Sequence, residues 1–328
     1  MGSSSSHIYP DEDLLDLRGR VAIVTGANSG LGIYILLHLV RRGAKVYLAA
    51  RSQEKADIAM ARLEDEGLGP TPGEIVWLDL DLTEPLKAKA AAEWFIERET
   101  RLDILVNNAA KYQSPSILGP YARTPDGINA SMMINHISPF VFTKTLLPVL
   151  EHTASIPSSD VRIVNVSSVG HRWVPSPRYD SLEAFNNDFC DTIKPKTNVY
   201  CYTKLANILW TNELQRCFDK AHIPIVTMSV HPGSVMSEGN IRLFTSLTCG
   251  RLINWFFSLF FISPYEGGYT PAWAAASKEV AAYPEKYKGK YLVPYGIIEE
   301  ASVDARREDL AQELWRTTEQ LVRDFRWF

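Results

Sequence analysis

The sequence predicts a doubly wound α/β fold, a parallel sheet covered by helices on both faces, and three observations carry that prediction. Short, almost unbroken apolar runs, Val21–Thr25 first among them, have the composition of strands buried on both faces. Helical stretches separate these runs, which is the alternation expected of right-handed βαβ units. Between the first run and the first helix stands Gly26-Ala27-Asn28-Ser29-Gly30-Leu31-Gly32. Strand, glycine loop and helix together make a phosphate-binding arrangement, because glycine lets the backbone approach a pyrophosphate and the helix N-terminus faces its charge. The spacing is Gly-x-x-x-Gly-x-Gly rather than Gly-x-Gly-x-x-Gly.

The remaining elements follow in order. A helix runs to Arg42 and is stopped by Gly43; a second strand covers Lys45–Ala50 and a helix residues 52–66. Residues 70–73 turn, 74–80 form a third strand with Asp79 near its end, and Thr83 caps a helix with Pro85 in its first turn. A fourth strand, 102–106, runs into Asn107-Asn108-Ala109-Ala110, and a helix over about 125–150 carries Asn135. The fifth strand, Val161–Val166, ends in Ser167-Ser168, and residues 170–197 read as an irregular insertion. A helix bearing Tyr200 and Lys204 reaches about Lys220, before a sixth strand over 223–231 closed by Pro232-Gly233. Residues 266–277 are helical, and Lys290–Val293 form the last strand. Residues 303–325 make an amphipathic helix with Leu310, Leu314, Leu321 and Phe325 on one face, which packs on the body of the domain or on a second subunit. No change of composition and no internal repeat divides the chain. It reads as a flexible tail (1–16), one domain (17–298) and a helical extension (299–328).

Composition narrows the function. The chain has 328 residues, 46% of them hydrophobic, enough for a full core. A net charge of −4 and the lack of a basic stripe argue against nucleic acid as the main partner. Cys190, Cys201, Cys217 and Cys249 form no Cys-x-x-Cys pair, so neither a zinc site nor a disulfide framework is expected, and reduced thiols point to the cytoplasm. The Ser-rich, then acidic start lacks a signal-peptide pattern, and no apolar run is long enough to span a bilayer. Asn129 and Asn165 begin glycosylation sequons but fall inside predicted regular elements.

The candidate site is a convergence. In open parallel sheets ligands gather at the C-terminal ends of the strands. The glycine loop, Arg51, Asn108, Ser168 and Pro232 all fall at predicted strand ends. Tyr200 and Lys204, four residues apart, leave one helix face a turn apart, and an ammonium beside a phenol favours the phenolate. Such a tyrosine can donate or accept a proton nearer neutral pH than a free one. Arg51 at the second strand end, with no acid beside it, suits the 2′-phosphate of NADP rather than the ribose hydroxyls of NAD.

With these residues assembled, the chain resembles the short-chain dehydrogenase/reductase family over about residues 17–298. Thr25–Gly32 are similar to its cofactor loop and Asn107-Asn108-Ala109 to its sheet-stabilising motif, while Asn135, Ser168, Tyr200 and Lys204 stand where its catalytic tetrad stands. Residues 200–209 and Ser229-Val230-His231-Pro232-Gly233 most resemble retinol-dehydrogenase-type and fungal secondary-metabolite members. Ala110 replaces the usual glycine and Thr203 the usual serine; neither position holds a catalytic group.

The resemblance implies a Rossmann-type fold, NADP(H) as cofactor, no metal, and exchange between an alcohol and a carbonyl. It implies that Ser168 bonds the substrate oxygen and that Tyr200 moves the proton. Lys204 then holds the nicotinamide ribose and lowers the tyrosine pKa, and Asn135 holds a water linking Lys204 to solvent. Leu31, Asp79, Asn108, Lys144, Val235 and Ser237 are expected along the cofactor, and Ser167, His136, His171 and His231 in structural roles. Residues 236–264 fall at the substrate lid and carry Trp255, Phe256, Phe257, Phe260 and Phe261, which suits a lipophilic small molecule such as a terpenoid or polyketide intermediate. The alternative reading of these aromatic residues is core, an oligomer contact or a surface lying flat on a membrane. Two other functions suit the same fold: an inactive NADP(H)-binding sensor, for which Tyr200 has no use, and an epimerase or dehydratase.

Overall fold

The structure, a computed structural model, describes residues 10–111, 122–235 and 262–328, with the side chain of Asp11 left out. Ser237, the aromatic run from Trp255 to Phe261, Cys249 and the first nine residues lie outside the described residues. Among the described residues eight strands form one sheet: β1 Val21–Thr25, β2 Lys45–Ala50, β3 Ile75–Asp79, β4 Ile104–Asn107, β5 Val161–Val166, β6 Ile225–Val230, β7 Lys290–Val293 and β8 Ile297–Ile298. Their order is β3-β2-β1-β4-β5-β6-β7-β8. All pairs are parallel except β7 with β8. The order reverses between β1 and β4, the switch point at which ligands bind in sheets of this kind.

Alternation along each strand divides the core in two. In β1, Ala22 and Val24 face one layer with Leu36, Leu39 and Val46, while Val21 and Ile23 face the other with Phe95, Phe142 and Leu146. Helices Gly30–Arg41, Gln53–Glu66 and Pro264–Ala276 cover the first face. Helices Pro85–Ile96, Ser138–Ser155 and Pro195–Ala221 cover the second, together with the C-terminal helix Glu308–Asp324. That last helix buries Leu310, Leu314 and Leu321 on this domain, chiefly against the Pro195–Ala221 helix, which decides where its apolar face goes.

Several boundaries differ from the sequence expectation for identifiable reasons. The helix before Asn135 starts at Ala130, not near Pro125, because Thr124–Gly127 form a turn closed by the Gly127 amide donating to the Thr124 carbonyl (2.9 Å). Pro125 sits where turns favour proline, and Asn129 caps instead, accepting from the Ser131 amide at 2.9 Å. Residues Met133–Ile137 then make a π-helical segment, and Asn135 lies within it. Thr83 does not cap its helix; its amide and hydroxyl both bond Asp81, and Glu84 stands at the cap position. Lys290–Val293 is not the last strand, because the chain reverses through Gly296, at φ 75°, and returns as β8. Residues 303–307 are not part of the final helix: Asp304–Arg306 form a 3-10 turn first. The insertion at 170–197 contains a 3-10 turn, Val169–Trp173, a short helix, Leu182–Phe185, and the start of the long helix at Pro195. Asn129 and Asn165 are buried, in keeping with chance sequons.

Candidate active site

The glycine loop is held to the fourth strand by side chains. Thr25 Oγ1 accepts from the amides of Asn108 and Ala109, both at 3.0 Å, and Asn108 Nδ2 donates to the Thr25 carbonyl at 2.8 Å. Gly32 is obligatory here: a Cβ would lie 2.4 Å from the Gly26 carbonyl oxygen and 2.7 Å from Asn108 Nδ2. Gly26 and Gly30 take φ of 66° and 57°, the left-handed region. Ser29 precedes the Gly30–Arg41 helix in extended backbone, yet its side chain makes no capping bond, so the helix's first amides keep their capacity for an anion. Asn28 is half-buried and Ser29 exposed on the same loop. Leu31 and Val235 meet across Gly267, whose missing Cβ would lie 2.9 Å from Leu31 Cδ1 and 2.4 Å from Val235 Cγ2. Arg51, just past β2, is exposed. Asp79 ends β3 beside Ala50 of β2 and borders an open cavity of about 410 Å³ with Trp77, Lys87 and Trp94. The structure thus brings the loop, Arg51, Asp79 and Asn108 to one edge of the sheet.

Lys144 is not brought there. It points to the C-terminal helix, 3.0 Å from Glu319 Oε1, with its ammonium over the rings of Phe140 and Phe328. One residue earlier, Thr143 faces inward and accepts from Asn107 Nδ2 at 3.1 Å. Consecutive helix positions point about 100° apart, so Lys144 leaves the helix toward the Glu319 side.

Tyr200 and Lys204 share one face of the Pro195–Ala221 helix, with Lys204 Nζ 5.6 Å from the centroid of the Tyr200 ring. The ammonium is buried and donates to the Val166 carbonyl, at the end of β5, at 2.7 Å. Burial alone pushes its pKa down to about 7. Ser167 is the occupied member of its pair: its hydroxyl donates to the Lys204 carbonyl at 2.7 Å and is buried. Ser168 is half-buried and accepts from the Gly170 amide at 3.1 Å. Gly170 in turn has no room for a side chain, since a Cβ would meet Cys201 Sγ at 2.9 Å, next to Tyr200. Asn135 joins the loop after β4 to the same helix. Its Nδ2 donates to Thr203 Oγ1 at 3.0 Å and to the Lys111 carbonyl at 3.2 Å, and its Oδ1 accepts from the Lys111 amide at 2.7 Å. The four residues therefore belong to one connected set.

Beneath the helix runs a polar row of which the sequence had singled out Asn107 alone, in the sheet-stabilising motif. Asn107, Asn165, Ser229 and Tyr291 stand side by side on β4, β5, β6 and β7. Asn107 donates to Asn165 at 2.9 Å, and Asn165 to Thr211 Oγ1 of the helix at 2.9 Å. Such bonds hold the helix at a fixed height over the sheet. The signal was available in Asn107, Asn165 and Ser229, each at or one residue from the C-terminal end of its strand. Among the described residues no cluster of His, Cys, Asp or Glu could hold a metal ion.

Comparison with known proteins agrees with this geometry. The family model for short chain dehydrogenases matches residues 20–179. A short-chain dehydrogenase/reductase of Armillaria gallica is 64% identical over 322 residues, covering 98% of each chain. The chain belongs to the short-chain dehydrogenase/reductase family. Mouse retinol dehydrogenase 14 is 32% identical over 93% of this chain and 86% of its own. A solved short chain dehydrogenase of Burkholderia cenocepacia, in complex with NADP, shares the fold with a TM-score of 0.60 at 22% identity, over 86% of this chain and 98% of its own. As in the family generally, the chemistry is oxidoreduction with a nicotinamide dinucleotide, and the glycine cradle and bare helix N-terminus fit that group.

Proposed function

We propose that this short-chain dehydrogenase/reductase interconverts an alcohol and a carbonyl on a lipophilic small molecule, with NADP(H) as cofactor. The observation that carries the reading is Lys204: a buried ammonium with no carboxylate of the described residues against it, under the ring of Tyr200, at the strand ends beside the glycine loop. A buried charge with no counter-charge against it is costly even when one carbonyl accepts from it, and a functional site is where such a cost is met.

The nicotinamide cofactor supplies or accepts the hydride. The residues of this chain manage the oxygen. Ser168 Oγ donates to the substrate oxygen, and the Tyr200 hydroxyl delivers a proton to it, or removes one in the reverse direction. Lys204 favours the phenolate of Tyr200 and offers its ammonium to the cofactor ribose. Asn135 fixes the distance between the loop after β4 and the helix. Arg51 takes the 2′-phosphate. Asn108, Asp79, Leu31 and Val235 would line the cofactor, and so would Ser237, which lies outside the described residues. Support for a lipophilic substrate comes from exposed apolar side chains beside a shallow, open depression that Asp191, Thr192 and Lys194 also line. Trp173 is 61% and Ile193 98% exposed, on the segments that follow Ser168 and precede Tyr200.

The test compares kcat/KM for NADPH and NADH across a homologous series of aldehydes and ketones. One charged phosphate contact, at about 1.5–3 kcal/mol, predicts a roughly ten- to hundredfold preference for NADPH. Arg51→Ala removes that preference, and kcat/KM rises with chain length. Equal use of both cofactors, or a preference that survives Arg51→Ala, contradicts the assignment.

A further inference from the structure

Two histidines that the proposed chemistry does not use join the C-terminal extension to the segments carrying Ser168 and Asn135. His171 lies in the 3-10 turn three residues after Ser168 and is buried. Its Nδ1 is 2.7 Å from the Ser168 carbonyl, and its Nε2 accepts from the Ser302 amide at 3.0 Å. An amide can only donate, so Nε2 is bare and Nδ1 carries the proton given to Ser168. The ring packs edge-on to Tyr291 of β7, at 4.8 Å between centroids. Arg172 adds two ties to the same stretch, an ion pair with Glu299 and a bond to the Glu300 carbonyl at 2.6 Å. His136 follows Asn135 in the π-helical segment. Its Nε2 meets Thr318 Oγ1 of the C-terminal helix at 2.8 Å, and that hydroxyl donates to the Leu314 carbonyl, so Nε2 is the donor. Burial pushes the pKa of both rings down.

We infer that His171 and His136 are positioning residues through which the C-terminal extension fixes Ser168 and Asn135. The inference rests on the proposed roles of those two residues. The geometry is specific to neutral imidazole: His171 must donate toward Ser168 and accept from Ser302 at once, so neither an apolar nor a doubly protonated ring can replace it. Ser168 Oγ is itself set by the Gly170 amide inside the turn that His171 closes.

The test uses the full-length protein with His171→Phe, which keeps bulk but no bonds, His171→Gln, which keeps a donor and an acceptor, and Thr318→Val. Hydrogen exchange across 167–173 and 133–137 reads the brace without a substrate; decanal reduction with NADPH reads its consequence. His171→Phe is expected to speed exchange in 167–173 at least tenfold and to lower kcat at least tenfold, with KM for NADPH within threefold of wild type. His171→Gln restores most of both. Thr318→Val speeds exchange in 133–137 from a helix remote in sequence. If His171→Phe does not fold, His171→Gln near wild type together with a Thr318→Val effect supports the brace. Unchanged exchange and kcat in every variant overturns it. Wild-type protein that does not reduce decanal counts against the proposed function alone, since exchange still decides the brace.

Discussion

The two ends of the sheet are built on opposite principles. At the N-terminal end every described buried charge is answered. Asp103 receives Arg20 at 2.8 Å, Arg101 at 2.6 Å and the Val21 amide at 2.9 Å. Arg162, wholly buried, pairs with Asp160 and donates to the carbonyls of Ala274 and Ser277 at 3.1 and 2.9 Å. At the C-terminal end polar groups are buried without a hydrogen-bond partner among the described residues: Asn107 Oδ1, Asn207 Oδ1, Ser229 Oγ and His231 Nδ1, beside an ammonium with no counter-ion among them. An unmade buried hydrogen bond costs about 1–3 kcal/mol, so the first end stabilises the fold while the second lowers its stability and holds chemistry. Substitutions at the two ends should therefore separate stability from activity.

The largest expected effect is at the C-terminal end. Tyr200→Phe removes a proton donor from a half-buried side chain, so kcat should fall about 10²- to 10⁴-fold with the melting temperature within a few degrees of wild type. A variant that keeps most of its activity, or that loses its fold, breaks the contrast. The mirror-image change is Arg162→Met. It leaves two carbonyls and Asp160 without their partner and should cost about 3–5 kcal/mol in denaturant unfolding, with kcat at low temperature near wild type. A loss of activity without loss of stability would place function at the wrong end.

A smaller effect follows from Lys204. Its folded-state pKa is depressed from 10.5 to about 7, so between those values the unfolded chain binds the extra proton. Stability of the cofactor-free protein should thus rise with pH from about 7 to about 10.5, with the burial penalty at its full size below 7. Lys204→Met should flatten that rise. An unchanged pH slope in the variant would mean that another group supplies it.

The same contrast explains what could be read from the sequence. Strands β1, β2, β5 and β7 match their predicted limits residue for residue, whereas β3, β4 and β6 are offset by one or two residues at their ends. The glycine loop and the Tyr200–Lys204 pair were legible because each is a local constraint: a glycine where no Cβ fits, and two side chains one turn apart. What depended on distant chain was hidden. Nothing near Lys144 in sequence announces Glu319, and nothing near His171 announces Ser302. The π-helical segment at Asn135 also gave no periodic signal, since it adds one residue to a turn in an apolar stretch. β8 was missed because two residues are too few to make a pattern.

The central claim is that the polar, imperfectly satisfied end of the sheet is where hydride reaches a lipophilic carbonyl or leaves the corresponding alcohol. The most direct measurement supplies NADPH deuterated at C4, in each stereoisomer separately, with a panel of long-chain and ring-bearing aldehydes and ketones, and reads the alcohol products by mass spectrometry. The account predicts one deuterium at the carbinol carbon from one stereoisomer only, in wild type and not in Tyr200→Phe. Consumption of NADPH without deuterium in any product, or equal labelling by the Tyr200→Phe variant, would contradict it.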